Sequence, residues 1–204
     1  MLNKISMFFS KGACFMILSA GSFCMMTVFV KLAGDSLPTI QIVFVRGLFT
    51  LLITGFFLLK AKINPLGKHK RLLTARGLSG TIALFLVYES IQRFPLSEAT
   101  VIQYLYPLFT AMIAAAFISE TVDRNILIGL FAGFFGVYAI LGFPFLSNNH
   151  LHIESLAIAV CGSFLTGLAY VLVKKATSLN EHPLVVMFYF PFFTVPICLP
   201  FLFS

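Results

Sequence analysis

The chain has 204 residues, of which 59% are hydrophobic and 10% are charged, and its formal net charge at pH 7 is +7. An average soluble domain carries roughly 25% charged residues, and a soluble fold of this size has no interior for 25 phenylalanines. The composition excludes an ordinary soluble protein and predicts one that places its apolar surface in lipid.

Seven apolar runs are long enough to cross a membrane. We expect each to be a helix, because a backbone in lipid must satisfy its own hydrogen bonds. The predicted spans are residues 12–33, 39–59, 77–92, 97–118, 125–143, 153–173 and 184–203. The third has 16 residues and is short. The predicted fold is an all-α, polytopic membrane bundle.

Basic residues between the second and third spans indicate the topology. They are Lys60, Lys62, Lys68, Lys70, Arg71 and Arg76. Cytoplasmic loops are enriched in Lys and Arg, so we expect this loop and the N-terminus to be cytoplasmic. A patch for anionic lipid or nucleic acid is the alternative, but the position of the charges favours topology and no nucleic-acid partner. The first run exceeds the 7–15 residues of a signal-peptide core, which favours an uncleaved span.

The sixth and seventh spans resemble a second copy of the first two. Three segments recur in order at offsets of 141, 143 and 144 residues, those beginning at Gly21, Val28 and Val43 matching those beginning at Gly162, Val171 and Met187. Internal repeats are common in secondary transporters.

The chain offers no pattern that predicts catalysis or a cofactor. There is no phosphate-binding glycine loop, no Ser/His/Asp set and no carboxylate pair on one face. The cysteines all fall in spans, where we expect them to be buried small residues: Cys14, Cys24, Cys161 and Cys198. His150 and His152 form a weak metal pattern, and a solvated loop is the simpler interpretation. We expect no enzyme, no metal and no cofactor.

Two charges stand out inside the predicted spans, Arg46 in the second and Glu89 in the third. A charge at the centre of a bilayer costs about 2.5–3.5 kcal/mol, so such residues usually face the bundle interior and have partners. The functional hypothesis is that Arg46 and Glu89 face a polar cavity as partners and bind substrate or couple protons. The alternatives are snorkelling to the interface and a structural ion pair.

The fourth span is the most polar and contains a proline that predicts a kink. Its candidates for lining a cavity are Thr100, Gln103, Tyr104, Tyr106 and Pro107, although tyrosines also anchor helices at the interface. Ser22 of the first span is a further candidate. Small residues predict helix packing in the fifth span, namely Gly129, Gly133 and Gly136. The prolines 191, 196 and 200 predict a bent seventh helix.

These residues resemble EamA-type members of the drug/metabolite transporter superfamily. The resemblance rests on Arg46, on Ala75-Arg76-Gly77, and on Phe94-Pro95-Leu96-Ser97-Glu98-Ala99 leading to Tyr104-Leu105-Tyr106-Pro107 and Ser119-Glu120. It implies ten helices in two inverted five-helix repeats, with a central cavity and alternating access. Residues 1–143 would be the first repeat and residues 144–204 the first two helices of the second.

The resemblance implies secondary transport of a small polar or amphipathic metabolite across the cytoplasmic membrane. Amino acids, nucleoside-like compounds such as S-adenosylmethionine, and drugs are the implied substrate classes. With seven of ten helices we expect the 204 residues alone not to transport. The alternative is a structural or non-functional fragment that acts only with further helices or as a homo-oligomer.

The topology is tested by single-cysteine labelling in a background that lacks the four native cysteines. We expect Lys68→Cys to react only with reagents that reach the cytoplasm, and Asn148→Cys to react from outside. Labelling of Lys68→Cys from outside would mean that the true orientation is the reverse of the predicted one.

Overall fold

The computed structural model describes residues 11–118, 128–129, 131–133, 135–136, 139 and 153–202, and helix is the only regular secondary structure in these ranges. The helices are α1 Lys11–Gly34, α2 Thr39–Lys60, α3 Lys70–Arg93, α4 Leu96–Gln103, α5 Tyr106–Ile118, α6 Ile153–Ser178 and α7 Pro183–Cys198. A 3₁₀ turn, Leu199–Leu202, follows α7. Helices α4 and α5 together form the predicted fourth span.

The all-α membrane fold is confirmed. Six stretches in the described ranges are long and apolar enough to cross a membrane, and they coincide with the first four, the sixth and the seventh predicted spans. Large apolar side chains cover their outer surface, among them Phe15, Phe29 and Phe49, each more than 60% exposed. Most of the predicted fifth span lies outside the described residues, as do His150 and His152.

The third span is longer than the sequence predicted. Helix α3 begins at Lys70, seven residues before the predicted start at Gly77, and has 24 residues. The basic cluster lowers the local hydropathy, which made this first stretch of the helix look like a loop. Because the helix starts earlier, Arg76 lies inside the bundle rather than in the connection between α2 and α3.

A buried carboxylate caps the start of α3. Glu181, in the connection between α6 and α7, accepts hydrogen bonds at Oε1 from the backbone N–H groups of Lys68 and His69, at 2.7 and 2.6 Å, and lies 2.9 Å from His69 Nδ1. Burial raises the pKa of the Glu181 carboxyl, but the bonds from His69 and Lys68 outweigh burial, so the net pKa lies below the ordinary value. We call the end of the bundle at which Lys68, His69 and Glu181 meet the basic end.

At the opposite end, α1 is tied to the end of α3. Lys31 Nζ donates to the carbonyls of Ile91, Gln92 and Phe94 at 2.7, 3.1 and 3.0 Å. An ammonium group there complements the negative end of the α3 dipole. Helix α1 therefore ends at the opposite end, whereas α6 ends at the basic end beside Glu181. The two matched spans run antiparallel, as inverted repeats require.

Helix α3 is the central helix, and it packs against α6, α7, α2, α1 and α4. Its crossing with α6 is close because Gly162 faces Leu86 and Val87: a Cβ at Gly162 would lie 3.2 Å from the Leu86 Cβ. Small residues at such crossings let helices approach in lipid. The core around this crossing includes Tyr88, Ile91 and Ala159.

Prolines interrupt two of the spans. The fourth span breaks at Tyr104 and Leu105, between α4 and α5. Pro107 has no N–H for the Gln103 carbonyl, which explains the predicted kink. Pro191 and Pro196 lie within α7, and Pro200 lies in the 3₁₀ turn that follows.

We expect Glu181→Gln to lower the free energy of unfolding by about 1–3 kcal/mol, because the N–H groups lose a charged acceptor. The depressed pKa means that this stabilisation is present above the ordinary value of 4.5 and is lost as the pH falls from there through the folded pKa. Thermal unfolding in detergent across pH measures both effects. Glu154→Gln, at an exposed residue in the first turn of α6, is the matched control and should retain the acid-dependent loss. A Glu181→Gln variant as stable as the control would contradict the capping role.

Candidate functional site

A cavity of about 340 Å³ lies between α1, α2, α3, α4, α6 and α7. Apolar side chains such as Phe23, Leu84 and Phe190 form much of its wall. Its polar groups are Thr27, Arg46, Thr50, Thr54, Arg76, Tyr88, Gln103, Thr166 and Tyr170. A mostly apolar pocket with a few convergent polar groups is the usual form of a small-molecule site.

One stripe of α2 supplies the first wall. Arg46, Thr50 and Thr54 follow one another at four-residue spacing and share a helix face. Thr50 Oγ1 donates to the Arg46 carbonyl at 2.8 Å, and Thr54 Oγ1 donates to the Thr50 carbonyl at 2.6 Å. The Arg46 guanidinium donates to the Tyr88 hydroxyl and lies 5.5 Å from the centre of that ring. This stripe presents a cation and two hydroxyl oxygens to the cavity.

Arg76 brings a second guanidinium into the cavity from the early part of α3. Its Nε and Nη1 atoms are buried and have no hydrogen-bond partner among the described residues. The group lies over the Phe190 ring, 5.6 Å from its centre. Gly80 makes this position accessible, because a Cβ at residue 80 would overlap Arg76 Nη1. The early start of α3 therefore places a buried cation in the site.

The remaining polar wall comes from α4 and α6. Gln103 Nε2 donates to Thr166 Oγ1 at 3.3 Å. Tyr170, one turn after Thr166, stacks on Tyr106 with the ring centres 5.1 Å apart. Helices from both predicted repeats therefore enclose the cavity.

Comparison with known proteins identifies the family. The family model described as the EamA-like transporter family matches residues 10–142. The chain belongs to the EamA-like transporter family. No solved structure matches the chain significantly.

Relatives of the chain include a bacterial protein named as an exporter and a mammalian protein named as a solute carrier. The pseudopaline exporter CntI of Pseudomonas aeruginosa strain UCBPP-PA14 is 24% identical over 194 residues, which are 95% of this chain and 66% of the exporter. Solute carrier family 35 member G1 of Mus musculus is 27% identical over 195 residues, 87% of this chain and 51% of the mouse protein. The chain thus spans about two thirds of the exporter's length and half of the mouse protein's.

The structure gives Arg46 and Glu89 different partners, so the hypothesis that they pair is wrong. Glu89 accepts from Thr39 Oγ1 at 2.8 Å and from Arg93 Nε at 2.9 Å, and it is not among the described residues that line the cavity. Arg46 bonds Tyr88 instead. Successive residues of a helix point about 100° apart, so Tyr88 faces α2 and the cavity while Glu89 faces the start of α2.

The structure distributes the other predicted residues over several places. Gln103 lines the cavity, whereas Tyr106 and Pro107 line a neighbouring groove of about 380 Å³ that shares Tyr170 with it. Ser22 lies in an apolar groove of about 600 Å³ between α1 and α2, and this groove shares Arg46 and Tyr88 with the cavity.

Two of the candidates on the fourth span, Thr100 and Tyr104, do not line the cavity. Thr100 Oγ1 donates to the Leu96 carbonyl of its own helix at 2.6 Å, and Tyr104 is 61% exposed outside the cavity.

The small residues also differ in their surroundings. A Cβ at the three glycines 129, 133 and 136 would meet no atom within 4 Å in the part of the chain that is described, so their packing role stays a prediction.

Burial of the cysteines was predicted wrongly for Cys14, Cys24 and Cys161, which are exposed on the helix surface; Cys198 is buried. Within the described ranges no cluster of His, Cys, Asp or Glu has the composition of a metal site.

Sequence reasoning missed several lining residues. They are Thr27, Thr50, Thr54, Arg76, Tyr88, Thr166 and Tyr170. The four-residue spacing from Arg46 was a usable signal for Thr50 and Thr54. Arg76 begins a second helix face that continues through Gly80, Ala83 and Val87. This face was not recognised, because the basic residues near Arg76 led to the prediction of a loop there.

The hydrogen bond between Arg46 and Tyr88 predicts which side chains are energetically coupled. We expect Arg46→Gln and Tyr88→Phe to be non-additive by about 0.5–3 kcal/mol, because they remove two partners of one hydrogen bond. Arg46→Gln and Glu89→Gln should be additive within about 0.5 kcal/mol. Double-mutant cycles on thermal unfolding in detergent measure both values. Stronger coupling of Arg46 to Glu89 than to Tyr88 would contradict the geometry.

Proposed function

We propose that the chain forms part of a secondary transporter that moves a small polar metabolite across the cytoplasmic membrane by alternating access. The cavity between α1–α4 and α6–α7 is the proposed substrate site. Its position between the two predicted repeats carries the proposal, because repeat-built transporters bind substrate at the repeat interface. Family membership supports transport, and no ATP-binding motif is present in the sequence.

The contacts at the basic end suggest how access is controlled. Glu181 and Tyr189 belong to the second predicted repeat, and both bond the connection between α2 and α3 in the first. Tyr189 Oη donates to the Leu66 carbonyl at 2.9 Å, and Glu181 caps α3 from the same side. In the proposed cycle these bonds close the cytoplasmic side, and breaking them lets the repeats rock about the cavity.

A substrate cavity must admit water. In a background without the native cysteines, we expect Thr50→Cys to react with a charged, membrane-impermeant thiol reagent. Phe49→Cys, next in the chain and 62% exposed on the outer surface, is the control and should be nearly inert, because a thiol in hydrocarbon stays protonated. Equal reactivity of the two cysteines would contradict a solvated cavity.

Reconstituted liposomes test transport itself. The panel is radiolabelled amino acids, S-adenosylmethionine and dicarboxylates, with the Pseudomonas exporter measured in parallel. Ala83, 4% exposed in the cavity wall, is replaced by Phe to fill the site, and exposed Ala75 of the same helix receives the same change as control. Saturable uptake that Ala83→Phe reduces at least about tenfold and Ala75→Phe retains supports transport by these residues alone.

The alternative function is that these 204 residues bind the substrate but transport it only with further helices or as an oligomer. The 66% and 51% coverage of the relatives favours it. Reactive Thr50→Cys without uptake of any compound by the wild-type chain supports this alternative. An unreactive Thr50→Cys without uptake contradicts both functions.

A further inference from the structure

The cavity carries two guanidinium groups and no matching carboxylate on its described lining residues. Arg46 and Arg76 both line it, and the other polar groups there are hydroxyls, phenols and one amide. Glu89 of α3 bonds Thr39 and Arg93 instead. The described part of the site therefore has a net charge of +2.

Such charge is costly without a counter-ion. An ionised side chain within the membrane is stabilised by an opposite charge or by hydrogen bonds. Arg46 has the neutral Tyr88 hydroxyl as its partner, while Arg76 Nε and Nη1 have none among the residues described. A ligand with oxyanion groups supplies both the missing negative charge and the missing hydrogen-bond acceptors, because a guanidinium donates two parallel hydrogen bonds to a carboxylate or phosphate.

The two guanidinium groups approach the cavity from different levels. The Arg76 side chain extends along α3 as far as Gly80. Arg46 meets α3 at Tyr88, eight residues after Gly80, a separation of about 12 Å along the helix axis. The hydroxyls of Thr50 and Thr54 lie on the wall that joins Arg46 to the basic end. One compact anion therefore does not match the charge distribution, whereas an elongated molecule with two acidic groups does.

We propose that the cavity binds a small organic dianion whose two acidic groups are carboxylates, one at Arg46 and one at Arg76. The inference rests on the cavity being the substrate site of the proposed function. It adds the substrate's charge, its length and the residue that recognises each end. A volume of about 340 Å³ limits the ligand to a small metabolite.

Thermal unfolding of the purified 204-residue chain in detergent tests the binding without requiring transport. The probes are glutarate, its neutral diamide glutaramide, butyrate and glycerol phosphate, all at one ionic strength because salt screens charge. We expect glutarate to raise the unfolding midpoint most, glutaramide to have no effect, and butyrate and glycerol phosphate to have smaller effects. Equal shifts with glutaramide, or no shift with glutarate, overturn the proposal. A largest shift with glycerol phosphate assigns the site to a compact phosphate and also overturns it.

Three substitutions separate ligand recognition from folding. Arg46→Gln and Arg76→Gln should each weaken glutarate binding by about tenfold or more, because each removes a charge-assisted contact. Arg71→Gln, at an exposed residue five positions before Arg76 on α3, is the matched control and should bind as wild type.

The ligand-free stability of Arg76→Gln provides a second readout. Removal of an uncompensated buried charge should leave the unfolding midpoint unchanged or raise it, a result that a purely structural arginine does not give. A large decrease would mean that the protein itself pairs this charge, and it would overturn the assignment. Arg76→Lys keeps the charge without the planar fork and should bind glutarate more weakly than wild type while folding normally.

The proposed function and the dianion inference can fail separately. If a neutral or cationic compound of the transport panel stabilises the chain, and Ala83→Phe abolishes that effect, the proposed function stands and the dianion inference fails. Glutarate binding that depends on both arginines, without any uptake, supports the inference and contradicts transport by these residues alone.

Discussion

Close contact of α3 with α6 and α7 is the constraint on which the cavity depends. Lipid provides no hydrophobic force between helices, so association in a membrane rests on packing and on polar links. Gly162 lets α6 approach the backbone of α3, and the buried hydroxyls of Thr81 and Thr194 join α3 to α7 at 2.9 Å. The cavity is the space that remains where these crossing helices diverge, with α1, α2 and α4 closing its other sides. A bulky residue at such a crossing would push the helices that form the cavity walls apart, even though it would replace no group that lines the site.

Charge inside the bundle follows from the same scaffold. Arg46 and Arg76 are tolerated at membrane depth because each head group lies between helices rather than in lipid. Tyr88 and Phe190 cover one side of each guanidinium with an aromatic ring, which offsets part of the lost hydration through cation–π attraction. Both side chains also line the cavity. The site thus combines apolar walls with two cations.

The sequence predicted the helical spans well and the site only in part. Apolar runs fix where most spans lie, since hydropathy reports exchange between water and lipid. Hydropathy does not report the direction of a side chain around its helix. Arg46 was identified because it interrupts an apolar run, and Glu89 was assigned to the same site by depth alone, although it faces Thr39. Arg76 was assigned to a loop because Lys70 and Arg71 precede it, and hydropathy does not report that Glu181 caps the start of α3 just before that cluster.

The cap on α3 also bears on how the chain is made. The N–H groups of Lys68 and His69 bond a carboxylate that follows them by 113 and 112 residues. At a synthesis rate of roughly 5–20 residues per second, Glu181 leaves the ribosome on the order of ten seconds after they do. Until then the N–H groups at the beginning of α3 have only water as a partner, and Arg76 lacks the Phe190 ring that covers it. The cap of α3 and the cover of Arg76 therefore form only after the last two helices of this chain have been made.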